Sequence, residues 1–181
     1  MNAKEAKRKI EEMRLAGTRN RDVFAALQGQ GLSDRRLAYL IASRLDPRRC
    51  AENRRHAAVA TAIIALHVAI ALLLSVAAGV VQSSLGVGLV SAGCSLLVGG
   101  AFLRGFMRRR AGAYNIFLGL SIAHLPRQLG ALSPNAIEGL VGLGLSIAMI
   151  VYINFVRQRL FPDLGFSMAV RKTDGRYVFT D

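Results

Sequence analysis

The sequence predicts an all-α membrane protein: four transmembrane helices, a small cytoplasmic N-terminal helical bundle and a short C-terminal β-hairpin tail. Three observations lead there. Ala57 to Leu103 is a run of 47 residues without Asp, Glu, Lys or Arg. Two further apolar stretches follow before the chain turns polar again. Basic residues are segregated from all of these: of 24 Lys and Arg, 14 precede residue 57, where seven acids accompany them. A helix rises about 1.5 Å per residue and needs about 20 residues to cross the hydrocarbon core, so the uncharged run holds two spans and a turn. The 181 residues are 52% hydrophobic yet carry a net charge of +13, which suits a membrane protein with a basic cytoplasmic face.

Residues 1–46 read as a basic three-helix segment. Ala3, Ala6, Ile10 and Met13 share one face of a first helix, with Lys4, Lys7, Arg8, Lys9 and Arg14 over much of the rest. Gly17 ends that helix, and Thr18 or Asn20 can cap the next. Val23, Phe24 and Leu27 give the second helix its apolar stripe, and Gly29 with Gly31 stop it. Ser33 is placed to cap a third, in which Leu37, Leu40 and Ile41 share a face. So short a bundle is marginal alone, so docking on other parts of the protein or on another copy is expected. Its basic charge and glycine turn also fit a helix-turn-helix, but the charges are scattered and few base-reading side chains gather on the third helix. Nucleic acid is therefore not the expected partner. The opening residues are too charged for a cleaved signal peptide, so targeting falls to the first span.

The membrane domain is expected over residues 47–159. Asp46-Pro47 is a helix start, an N-cap followed by the residue whose missing N–H costs nothing at the first position. A single helix of over 30 residues is expected from there, carrying Arg48, Arg49, Arg54 and Arg55 at the level of anionic lipid headgroups. Spans are predicted at about 57–80, 85–103, 111–132 and 135–156, with Gln82-Ser83-Ser84 as a turn and Ser133-Pro134 as a second cap-and-proline start. Arg108, Arg109 and Arg110 supply a further headgroup cluster. The third span is the poorest because Asn115, His124, Pro126 and Arg127 fall in it, and a three-span arrangement with residues 111–132 in the interface is the alternative. Counting Lys and Arg on each side places both termini inside, with Arg127 alone outside. The pairs Gly88/Ala92, Ser91/Ser95, Ser95/Gly99 and Gly142/Ser146 allow close helix approach, within one chain or in a homo-oligomer.

Polar residues inside a membrane are the first places to look for function. His67 and Cys94 fall near one depth, with Met149 slightly shallower and His124 nearer the outer face. Such a set invites a soft-metal or haem reading, but no ligand-rich motif accompanies it, and a neutral His67 bonded to a neighbouring helix is the plainer expectation. Asn115 and Asn154 lie at matching depth near the cytoplasmic ends of their spans and suit interhelical packing. The spans carry no acid except Glu138, close to the outer end and near Arg127, which argues against a proton-coupled exporter. Cys50 and Cys94 cannot form a disulfide framework, and Cys50 reads as a free thiol beside the membrane, with acylation as the other option.

Residues 160–181 form the tail. Ser167 to Val170 and Arg176 to Phe179 flank Thr173-Asp174-Gly175, a hairpin signal, and the hairpin is expected to fold back towards the N-terminal helices. The string LFPDLGFSMAVRKTDGRYVF resembles the closing segment of small, uncharacterised bacterial four-span membrane proteins, which end in a similar Leu-Phe-Pro, Gly-Phe and Gly-x-Tyr pattern. The resemblance covers about 20 residues, and it implies a bacterial inner membrane but no activity.

Catalytic motifs are missing: there is no HExxH, no Walker glycine loop and no GxSxG, and Gly86-Val87-Gly88 is a fragment of a nucleotide fingerprint in the wrong setting. The sequence therefore predicts a non-enzymatic, multi-pass inner-membrane protein without a cofactor. Its helical module and tail would bind or sense a protein partner, with the bilayer and its anionic lipids as surroundings. The alternatives are a membrane-tethered nucleic-acid-binding regulator and a small transport or channel subunit.

Overall fold

The computed structural model of the chain describes residues 1–81, 84–130, 137–166 and 169–180. The protein is mostly α-helical and divides into two compact units, Met1–Cys50 with Arg157–Asp181, and Ala51–Val156.

The first unit is built from α1 (Ala3–Leu15), α2 (Asn20–Leu27), α3 (Asp34–Ala42) and the tail. Helix α1 starts at Asn2, whose Oδ1 accepts from the amides of Lys4 and Glu5 at 3.0 and 2.9 Å. It stops at Gly17, which sits at φ +82° while the Thr18 amide donates to Met13 O and the Gly17 amide to Arg14 O. That pairing is a Schellman motif, and it turns the chain into α2. Ala6, Ile10, Val23, Leu27, Leu37, Leu40 and Ile41 form one core, with Met13, Phe24 and Phe179 packed against it. The apolar stripes of the three helices thus converge, as their spacing requires. Two caps differ from expectation. Arg19, not Thr18 or Asn20, holds the N-cap position of α2, and Ser33 stands at the N-cap of α3 without a side-chain bond.

The tail completes this unit. Leu160, Phe161 and Leu164 are buried, and Leu164 bridges antiparallel to Val170. The hairpin strands are β1 (Lys172–Thr173) and β2 (Arg176–Tyr177), paired Lys172 with Tyr177 and Thr173 with Arg176. Asp174 and Gly175 between them adopt φ +51° and +76°, the left-handed pair of a type I′ turn. The first strand therefore lies later than Ser167 to Val170, because a two-residue loop fixes which residues can pair; Ser167 and Met168 lie outside the described residues.

The second unit holds α5 (Arg54–Val81), α6 (Leu85–Met107), α7 (Ala111–Gly130) and most of α8 (Ile137–Leu160). The long helix expected from Pro47 is interrupted: α4 (Pro47–Glu52) ends before Asn53, and α5 begins anew at Arg54. Asp46 does start α4, its Oδ1 accepting from the Arg48 amide at 2.8 Å. The break falls at Asn53, a poor helix former whose side chain is buried, and its carbonyl still accepts from the Ala57 amide.

Helices α5 and α6 pack antiparallel along the small-residue face of α6. A Cβ added to Gly79 would meet Gly88 Cα at 2.5 Å, and one added to Gly99 would meet the Val68 side chain at 2.6 Å. Between these contacts the hydroxyls of Ser75 and Ser95 lie 3.4 Å apart. Helix α6 ends in a second Schellman arrangement, with Arg109 at φ +47° and the Arg110 amide bonded to Gly105 O.

Among the described residues, three helices are long and apolar enough to cross a membrane: Arg54–Val81, Gly86–Met107 and Gly139–Leu160. Their surfaces are apolar where a soluble protein would be polar, with Leu73 71%, Leu97 77% and Leu145 67% exposed. Helix α7 is long enough but does not reach that apolarity, so three helices qualify instead of the four expected, and the one left out is the span read as the poorest. Asn115, His124, Arg127 and Gln128 lower its apolarity, and Pro126 lies inside the helix. The Gln82-Ser83 turn, the Ser133-Pro134 start and the side chain of Glu138, and with it the expected pairing to Arg127, lie outside the described residues.

Candidate functional site

Within the second unit the four helices surround a cavity of about 610 Å³. Helix α7 contributes Phe117, Ser121, His124 and Gln128, spaced four, three and four residues apart and therefore on one face. Two of the groups that make α7 too polar thus line the cavity. From α5 come His67, Val68 and Ala71; from α6, Cys94, Ser95 and Phe102; from α8, Ser146 and Met149. His67, Cys94 and His124 line the cavity while remaining exposed, so it is accessible rather than sealed. Among the described residues no Asp, Glu, Lys or Arg lines it. Nor do any three His, Cys, Asp or Glu side chains gather as a metal ion would require.

An aromatic ladder backs one wall, to which Phe117 and Phe102 contribute the lining rings. Tyr114 and Phe106 rings lie 4.2 Å apart, and Phe117 meets Phe106 and Phe102 edge-on at 5.7 Å each. His67 meets the same Phe117 edge-to-face at 6.4 Å. The expected hydrogen bond from His67 to a neighbouring helix is not formed among the described residues; its neighbour there is an aromatic ring. The polar pair at the other end of α5 is one the sequence did not point to: His56 Nδ1 lies 3.3 Å from the Tyr152 hydroxyl, and its ring packs on Phe155.

Of the intramembrane polar residues singled out by sequence, the cavity brings together His67, Cys94 and His124, with Met149 beside them. Asn115, buried on α7, and Asn154, half-buried on α8, lie outside it. Neither family models nor curated proteins nor solved structures match this chain.

The basic residues assigned to lipid headgroups divide. Arg48, Arg54, Arg55, Arg108 and Arg110 are exposed, whereas Arg109 is half-buried in the turn after α6. Arg49 is engaged elsewhere, donating to Thr180 O at 2.6 Å and facing Asp46 at 3.9 Å.

In the first unit two arginines act as internal ties. Arg14 donates through Nε and Nη2 to Asn20 Oδ1 at 2.8 and 2.5 Å and reaches the carbonyls of Ile41 and Arg44 at 3.4 Å, joining the ends of three helices. Burial lowers its pKa from the ordinary guanidinium value, while Asp46 and Asp163 act the other way. Arg157 is buried and donates to Leu164 O at 2.7 Å and to Gly165 O, fixing the bend after α8. Asp163 closes the far end, accepting from the Thr180 amide at 2.7 Å. Sequence reading missed both arginines because a basic residue at a helix end looks like a solvated one. The Leu160-Phe161-Pro162 break that follows Arg157 was the available signal.

Proposed function

We propose that this chain is a non-enzymatic integral protein of a bacterial inner membrane. Its N-terminal helices and C-terminal tail form one cytoplasmic module that engages a protein partner. The observation that carries the reading is the joining of the two chain ends: Phe24 packs against Tyr177 and Phe179 at 5.4 and 5.6 Å, and Arg49 holds the Thr180 carbonyl. Chain ends in contact must lie on one side of a bilayer, so the number of crossings between them is even. With α5, α6 and α8 as crossings, α7 is then the fourth, its Ser121, His124 and Gln128 turned to the cavity instead of lipid. Exposed arginines at the starts and ends of these helices favour the cytoplasmic side for the module and anionic headgroups around it.

A photocrosslinking residue at exposed Arg35 or Arg36 on α3 tests the partner in native membranes. A discrete crosslinked product that disappears when Arg14→Ala loosens the module is expected. An intact module that yields no product at either position rejects partner binding through α3. DNA binding remains the competing use of these helices, and salt-dependent retention of DNA by the purified protein would favour it.

A second reading, a small transport or channel subunit, draws on the cavity. Of His67, Asn115 and Asn154, the polar residues that a pore along these spans would draw on, His67 lies there and the two asparagines do not. Unchanged flux in proteoliposomes after His67→Ala would remove its support.

A further inference from the structure

We infer that the cavity among α5–α8 is a binding site for a neutral, lipid-soluble compound with a planar ring bearing carbonyl or hydroxyl groups, the chemistry of a quinone or quinol. Its volume of about 610 Å³ suits the ring and first chain carbons of such a molecule. Charge decides the class first. Among the described residues no Asp, Glu, Lys or Arg lines the space, and an ionised ligand group buried without a partner there is strongly disfavoured. Hydrogen bonding decides it next. His67 and His124 come from facing helices, and a neutral imidazole offers both a donor and an acceptor. Ser121 and Gln128 share the His124 face of α7, so carbonyl and hydroxyl groups of a ring find partners on that side. Shape decides it last. Phe117 stands edge-on to both His67 and Phe102, an aromatic wall on which a flat ring packs.

The inference rests on the membrane reading for the route of entry, since a lipid-soluble ligand reaches an accessible cavity from the hydrocarbon phase. The full chain in lipid nanodiscs, titrated with a short-chain ubiquinone analogue in equilibrium dialysis, should bind saturably at one molecule per chain. Ser121→Phe, which fills the cavity, should weaken binding roughly tenfold or more, and His67→Leu and His124→Leu should each weaken it roughly three- to tenfold. Asn154→Ala, outside the cavity, should leave it unchanged. Circular dichroism melting of each variant separates lost binding from lost folding, and the milder histidine variants decide the matter if Ser121→Phe does not fold. Binding that is absent, unsaturable or insensitive to all three cavity variants would overturn the inference. So would saturable binding of oleate with none of the ubiquinone analogue, which would point to a carboxylate site. Alkaline carbonate extraction tests the membrane reading separately. A chain released from membranes defeats that reading, whereas a chain retained in them without ligand binding defeats only this inference.

Discussion

At the scale of single residues, the first unit depends on charged side chains used inside the fold. Arg14 satisfies Asn20 and two helix-end carbonyls at once, so removing it leaves acceptors without their charged donor. Arg14→Ala should destabilise the module by about 2–4 kcal/mol, since a charge-assisted bond contributes about 1.5–3 kcal/mol and truncation strands its partners. Hydrogen exchange of the α2 and α3 amides in the full chain would show this as faster exchange confined to those helices. Arg109 is the opposite case. Its φ of +47° is a left-handed conformation that costs a non-glycine residue about 1 kcal/mol, so Arg109→Gly should raise the thermal midpoint slightly. An unchanged or lower midpoint would show that the Arg109 side chain offsets its own backbone strain. Neither role was legible beforehand. Asn20 read locally as a cap, and only the fold brings Arg14 to it. Gly17 and Asp174-Gly175 were legible because their requirement for a left-handed backbone is local.

At the scale of elements, α5 and α6 are a helical hairpin whose approach is set by missing side chains. Gly79 faces Gly88 so closely that a Cβ on either meets the other's Cα at 2.5–2.8 Å. Cysteines in place of Ser75 and Ser95, whose hydroxyls are 3.4 Å apart, should form a disulfide on mild oxidation. Adding Gly88→Val should abolish or slow that crosslink, because an isopropyl group has no space where even a Cβ would meet Gly79 Cα at 2.8 Å. The small-residue pattern on α6 was visible in the sequence, and its active face was not. Three small-residue pairs on α6 competed, and the choice of Gly88, Ser95 and Gly99 belongs to contact with α5. Helix α7 teaches the same lesson about polarity. His124 looked like one defect among several in a span, but its spacing puts it on one face with Phe117, Ser121 and Gln128, and that face lines the cavity. Asn115 and Asn154 were read at matching depth, yet depth alone does not fix azimuth, and neither reaches the cavity.

At the scale of the whole molecule, the mostly helical class and the location of the apolar helices followed from charge segregation, because burying charge in hydrocarbon is so costly that composition alone reveals it. The union of the two chain ends was expected from the hairpin folding back towards the N-terminal helices; its contacts were not, since no local pattern specifies Phe24 against Tyr177 and Phe179. That union makes topology the central question. Three crossings would leave residues 24 and 179 on opposite faces of the bilayer; four leave them together. The deciding measurement is thiol labelling in intact cells with a membrane-impermeant maleimide, after replacing Cys50 and Cys94 by alanine. Single cysteines would be placed at exposed Ser33, at Leu129 near the end of α7, and at Thr180. Four crossings predict labelling of Leu129→Cys in intact cells, with Ser33→Cys and Thr180→Cys reacting only after lysis. Labelling of Thr180→Cys in intact cells while Ser33→Cys stays protected would contradict it.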